Sequence, residues 1–160
     1  MSQEFKFSTE AKEKILSELK RYEVRESALI PALYISQREN GGWISENVIR
    51  ALAQLTDIPE SRVTEVFRFY TMFNQKPVGR YHVQVCTNIS CALNGGRELS
   101  DYLCKELKVS NDQLTEDGRF SVSRVECLGS CSTAPMMQVN EQYHENLTPE
   151  TAMNILRGLK

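Results

Sequence analysis

The chain has no run approaching the ~20 consecutive apolar residues that a bilayer crossing requires, so no membrane span is expected. Its start, Met1-Ser2-Gln3-Glu4-Phe5-Lys6-Phe7, lacks the basic and then apolar order of a signal peptide, and its Glu residues disfavour an import presequence. A cytosolic or cytosol-facing protein is the expectation. Surplus positive charge is missing too: 19 Lys+Arg stand against 21 Asp+Glu, a formal net charge of −2. Non-specific nucleic-acid binding depends on a basic surface that displaces counterions, and this composition does not supply one. Cysteine is scarce, at five in 160 residues, well below a disulfide-stapled scaffold. A chain of this length buries enough surface to hold a core without disulfides, and an odd number of thiols cannot all pair. Redox or metal chemistry becomes the first reading of the cysteines.

Other absences narrow the function. The Gly95-Gly96 pair is surrounded by neither GxGxxG nor GxxxxGK[ST], so it reads as a helix entry and not as a phosphate cradle. No Ser-His-Asp array or isolated carboxylate pair points to hydrolysis. His82 and His144 stand alone on alternating segments and read as surface or hydrogen-bonding residues. A Rieske centre would need two His beside two Cys. The triplet Asn146-Leu147-Thr148 reads as a loop ending in a helix cap, with no signal peptide to bring it to glycosylation.

The first seventy residues carry no cysteine and show helical periodicity. Ser8 caps a helix with Ala11, Ile15, Leu16, Leu19 and Tyr22 on one face, and a second follows around Pro31 with Ala28, Leu29, Ala32, Leu33 and Ile35. Gly41-Gly42 breaks the chain. Ser45 caps a third helix with Val48, Ile49 and Leu52 inward, and Asp57-Ile58-Pro59 opens a fourth bearing Val63, Val66, Phe67 and Tyr70. The last two resemble a helix-turn-helix in outline, but Ser45 to Phe69 holds three Arg against four acidic residues. That leaves little charge for phosphate contacts, and packed bundle helices are the better reading.

Around Asn74 to Gly79 the composition turns to Asn, Gln, Lys, Pro and Gly, the mark of a linker, and the periodicity beyond it becomes alternating. Tyr81, Val83 and Val85 alternate with His82 and Gln84 in a strand running into Cys86. An amphipathic helix over 94–107 follows, then the Asp117-Gly118 turn, a strand through Phe120 to Glu126 that reaches Cys127, a hairpin about Asn140-Glu141, and a last helix capped by Thr148-Pro149-Glu150. The expected class is α+β: residues 1–76 form a small helical bundle, and residues 77–160 a sheet with helices packed on it.

Four of the cysteines form two close pairs. Cys86-Thr-Asn-Ile-Ser-Cys91 and Cys127-Leu-Gly-Ser-Cys131 each lie in a tight polar or Gly-containing loop after a predicted strand, 35 residues apart. Two loops delivering two sulfurs each is what a four-thiolate centre requires. The three-residue gap of the second pair suits zinc, whereas the four-residue gap of the first is the opening step of plant-type ferredoxin runs. Neither pair has the two-residue gap of thioredoxin chemistry. A [2Fe-2S] cluster is favoured, with zinc and disulfides as the alternatives. Gly129, Ala92, Ser90, Ser130 and Ser132 are small enough to let backbone N–H groups approach the sulfurs, which would raise the reduction potential. Cys104, on the predicted helix after Leu103, reads as a packing residue and not a ligand.

Val85-Cys86-Thr87-Asn88 with Cys91, and Val125-Glu126-Cys127-Leu128-Gly129-Ser130-Cys131 followed by Ala134-Pro135, resemble the thioredoxin-like [2Fe-2S] subunit of respiratory complex I, the NADH:quinone oxidoreductase. The segment from Gly41-Gly42-Trp43-Ile44 to Tyr70-Thr71-Met72-Phe73 resembles that family's N-terminal helical extension. The resemblance implies a thioredoxin-like ferredoxin domain holding one [2Fe-2S] cluster, with Cys86 and Cys91 on one iron and Cys127 and Cys131 on the other. It implies a non-catalytic electron-transfer role beside a flavin- and NADH-binding subunit, which binds the FMN and NADH, and contact with other peripheral-arm subunits on the cytosol-facing side of the inner membrane. NAD-linked hydrogenases and formate dehydrogenases have equivalent subunits. One departure is Ser130, where the family commonly has a small Ala, so that a hydroxyl stands beside a ligand position and would tune its potential.

Overall fold

The structure is a computed structural model that describes residues 4–159. It divides into two compact units, one ending at Pro77 and the other beginning at Val78.

The first unit is helical: α1 (Thr9–Leu19), a single 3-10 turn (Arg25–Ala28), α2 (Leu29–Glu39), α3 (Glu46–Thr56) and α4 (Glu60–Phe69). The starts follow from the capping chemistry. Ser8 accepts the Ala11 N–H at 3.2 Å and Ser45 the Val48 N–H at 3.3 Å, each satisfying a donor that the first helical turn leaves orphaned. Pro31 falls in the first turn of α2, where its missing N–H costs nothing. Asp57 ends α3 in the left-handed conformation, φ 54°, and Pro59 precedes α4. One core gathers Ala11, Ile15, Leu29, Leu33, Val48, Leu52, Val63 and Phe67, so α3 and α4 spend their apolar faces on bundle packing. Leu16 and Tyr22, expected on the inner face of the first helix, are exposed. Leu16 sits about a quarter turn from Ile15, and Tyr22 lies beyond the end of α1.

The second unit runs β1 (Tyr81–Cys86), α5 (Ile89–Leu93), α6 (Gly96–Glu106), β2 (Phe120–Val125), a 3-10 turn (Cys131–Thr133), β3 (Met137–Val139), β4 (Gln142–His144) and α7 (Pro149–Gly158). Its sheet has the order β2-β1-β3-β4. β1 pairs parallel with β2, from Tyr81 opposite Phe120 to Cys86 opposite Val125, and antiparallel with β3. The β3–β4 hairpin turns at Asn140, φ 54°, in the left-handed region that Asn tolerates. Val83, Val85, Val122, Met137 and Val139 meet Leu99, Leu103, Ala152, Met153 and Leu156 from α6 and α7. Each of the Val, Leu and Met side chains among them contributes about 1.5–3 kcal/mol by leaving water.

The alternation in β1 is less clean than its sequence suggests. The strand is flanked on both sides, and His82, read from the sequence as a surface or hydrogen-bonding residue, is buried with its Nε2 3.0 Å from the Ser123 hydroxyl. His144 is half-buried, and its Nε2 is enclosed with no hydrogen-bond partner among the described residues. Thr148 caps α7 in a reciprocal pair, accepting the Thr151 N–H at 3.2 Å while Thr151 Oγ1 accepts the Thr148 N–H at 2.8 Å. Among the described residues no helix is long and apolar enough to cross a membrane.

Candidate metal centre

β1 ends on Cys86, and the polypeptide there cannot continue as strand because Asn88 caps a short helix, its Oδ1 accepting the Ile89 N–H at 2.6 Å. This helix, α5, lies where a loop was expected. It carries Cys91 inward and leaves Ile89 and Leu93 exposed, at 75% and 83%. Cys86 and Cys91 are both buried, and with Met136 they form a small apolar cluster flanked by Leu128 and Ala134. Chain entry into α6 is crowded. A Cβ at Gly96 would stand 2.7 Å from the Cys86 carbonyl oxygen and 2.8 Å from that of Cys91, so only glycine lets the helix start against the two cysteines.

The second pair follows β2. Cys127 lies two residues beyond its end, and Cys131 opens the 3-10 turn; both are exposed. Gly129, at φ 76°, turns the loop so that its N–H donates to Cys127 Sγ at 3.3 Å. The Ala134–Pro135 peptide that follows is cis.

The two loops are joined directly, by the Ser90 hydroxyl donating to the Cys131 carbonyl at 3.0 Å. Burial pushes the Cys91 thiol up to about 11, with a hydrogen bond to Cys86 adding to the effect, a backbone hydrogen bond from Met136 opposing it, and Cys131 close enough to act by charge. A bare thiolate is therefore costly at this place, whereas a bound cation would hold the sulfur deprotonated and release the proton. All five thiols are free. Cys104 packs part-buried against the core of the second unit, and burial raises its pKa, against the pull of the Arg124 charge.

The donor set fits an iron–sulfur cluster in kind: soft sulfur ligands from two loops, a dry inner wall, and an N–H already aimed at a sulfur. Among the described residues no three His, Cys, Asp or Glu side chains close on one point as a single-ion site.

Several residues that shape the loop were not foreseen from the sequence. Tyr143 Oη donates to the Leu128 carbonyl at 2.8 Å, and the Ser130 and Thr133 hydroxyls both donate to Glu145 Oε1. Those two hydroxyls hold the Glu145 carboxyl below its usual value. No local pattern announces these contacts; Tyr143 comes from β4 and Glu145 from the residue just after it.

Residues 15–160 match the model of the thioredoxin-like [2Fe-2S] ferredoxin family. A subunit of the NADH-quinone oxidoreductase of Rickettsia bellii (strain RML369-C) is 40% identical over 158 residues, covering 96% of this chain and 95% of that protein. The mitochondrial NADH dehydrogenase [ubiquinone] flavoprotein 2 of Dictyostelium discoideum is 40% identical over 148 residues, covering 92% of this chain and 60% of its own length. Among solved structures, the NAD+-reducing [NiFe]-hydrogenase in its H2-reduced state aligns with a TM-score of 0.70 over 82% of this chain and 22% of that one, at 20% identity, a likeness that shows the fold alone. With a family match across nearly all of both units and two cysteine loops meeting at the end of the parallel strand pair, the chain belongs to the thioredoxin-like [2Fe-2S] ferredoxins.

Proposed function

We propose that this chain is the electron-transfer subunit of an NADH:quinone oxidoreductase, holding one [2Fe-2S] cluster that exchanges an electron with FMN in a neighbouring NADH-binding subunit. Cys86 and Cys91 would ligate one iron, Cys127 and Cys131 the other. When bound, the cluster supplies one-electron transfer. The chain's own residues do the rest. Cys86 and Cys91 form a buried wall that keeps water from one side, and Gly129 N–H points at a sulfur where added negative charge needs a donor. Ser90 keeps the two loops in register. On this reading the chemistry of NADH and FMN belongs to the partner.

The observation that carries this reading is the meeting of the two cysteine loops, joined by Ser90, in a chain that aligns over nearly its whole length with the Rickettsia bellii protein. Residues 1–76 would serve docking in the peripheral arm, on the cytosol-facing side of the inner membrane, and residues 77–160 hold the cluster. The equivalent subunit of an NAD-linked hydrogenase is the second reading, supported by the fold it shares with the NAD+-reducing hydrogenase. Relatives at 40% identity favour the quinone enzyme.

The chain purified anaerobically should show the red-brown absorption of a [2Fe-2S] centre and an EPR signal on dithionite reduction. Cys104→Ser should keep both, whereas Cys127→Ser should lose or severely disturb them. A colourless chain with stoichiometric zinc, or an unaltered EPR spectrum in Cys127→Ser, would sink the assignment.

A further inference from the structure

We propose that Tyr143 and Glu145 are positioning residues that clamp the Cys127–Cys131 loop in the geometry a cluster needs, an inference that rests on the four-thiolate reading above. The two halves of the thiol set are held differently. Cys86 and Cys91 are fixed by β1, α5 and burial, whereas Cys127 and Cys131 are exposed, on a loop outside the strands where Leu128 and Ala134 supply the apolar contacts. Ser90 holds the Cys131 carbonyl from α5, and the segment from β4 onward supplies further hydrogen bonds to the loop. Tyr143 Oη donates to the carbonyl of Leu128, next to Cys127, at 2.8 Å. Ser130, next to Cys131, donates its hydroxyl to Glu145 Oε1, and the same oxygen accepts from Thr133 Oγ1 at 2.8 Å. The Asn146 N–H closes the set on the Thr133 carbonyl at 2.8 Å.

Both ends of the loop are thus tied to one hairpin and the residues just after it, a residue away from each sulfur. Ser130 acts through this clamp, since its hydroxyl is turned to Glu145 and Thr133. Residues that orient metal ligands from outside the ligand set cost on the order of tenfold in metal retention when lost.

The test uses the full chain with its cluster loaded, and reads loss of visible absorbance to a ferrous-iron chelator together with the EPR spectrum of the reduced form. Tyr143→Phe and Glu145→Ala should each speed cluster loss, by roughly tenfold, and shift or broaden the EPR lines. Glu145→Gln keeps an oxygen where both hydroxyls converge, and should release the cluster at close to the native rate. In a Ser130→Ala/Thr133→Val background, Glu145→Ala should add nothing. Leu156→Ala, a cavity in the core away from the loop, should lower the melting temperature without moving the EPR lines. Native release rates and EPR in both Tyr143→Phe and Glu145→Ala would overturn the clamp while leaving the four-thiolate reading intact. A native chain that loads no cluster would overturn both.

Discussion

At the scale of single residues, the same amino acid takes opposite roles according to its surroundings. Cys91 and Cys104 are both thiols raised by burial, yet one hydrogen-bonds another cysteine and the other packs against the core of the second unit beside Ser100. His82 shows the same dependence on place. Burial pushes its pKa below the ordinary imidazole value of about 6.5, against an opposing pull from the Asp112 charge. The unfolded chain therefore takes up a proton as pH falls through about 6.5, while the folded chain still refuses it. The unfolded state binds more protons in that window, so stability falls as pH is lowered and is restored as pH rises. Urea midpoints measured from about pH 7.5 down to about 5.5 should decline in the native chain and decline less in His82→Gln. Equal declines in the two would show that His82 is not the group responsible.

Elements add a constraint that residues alone do not. The α5–α6 junction sits against the last residue of β1, and the tightest point is Gly96, whose Cβ would meet the Cys86 and Cys91 carbonyl oxygens at 2.7 and 2.8 Å. Backbone atoms at the end of a central strand cannot swing aside as a flexible side chain does. Gly96→Ala should destabilise the chain by about 3 kcal/mol and reduce the cluster content of the purified protein. Gly158, at the end of α7, has nothing within 4 Å of its Cβ position and serves as the control. Its replacement by Ala should leave melting temperature unchanged or slightly raised. A Gly96→Ala chain with native cluster content and native melting would mean that the junction relaxes freely.

For the whole molecule, the proposed partner defines which surface matters. On the electron-transfer reading proposed above, the face bearing the cysteine loops is the one that lies against an electron donor, because electrons cross only short gaps. The short helix α5, which carries Cys91 inward, exposes Ile89 and Leu93, two large apolar side chains. Such side chains gain about 1.5–3 kcal/mol each when covered, and charges there would have to be desolvated unpaired. The double variant Ile89→Glu/Leu93→Glu should load its cluster normally and fail to copurify with the flavin-binding partner. Full copurification of that variant would place the docking face elsewhere.

Much of this protein is set by local chemistry that a linear reading recovers. Ser8, Ser45 and Thr148 announce helix starts because a side-chain oxygen must meet orphaned N–H groups. Asp57-Ile58-Pro59 and Asn140-Glu141 announce turns because few residues tolerate the backbone those turns need. The two cysteine spacings announce sulfur chemistry because each holds two thiols in one short loop. What the order of residues does not carry is contact between segments far apart in the chain. The burial of His82 depends on β1 having neighbours on both sides, the need for glycine at position 96 depends on where β1 ends, and the grip of Tyr143 and Glu145 on the second loop depends on the hairpin folding back over it. Residue types and spacings thus determine that this is an α+β protein with two paired-cysteine loops. Which thiols are buried, which are tethered and which surface stays apolar are decided only in the folded chain, where backbone geometry brings distant hydrogen-bonding groups together.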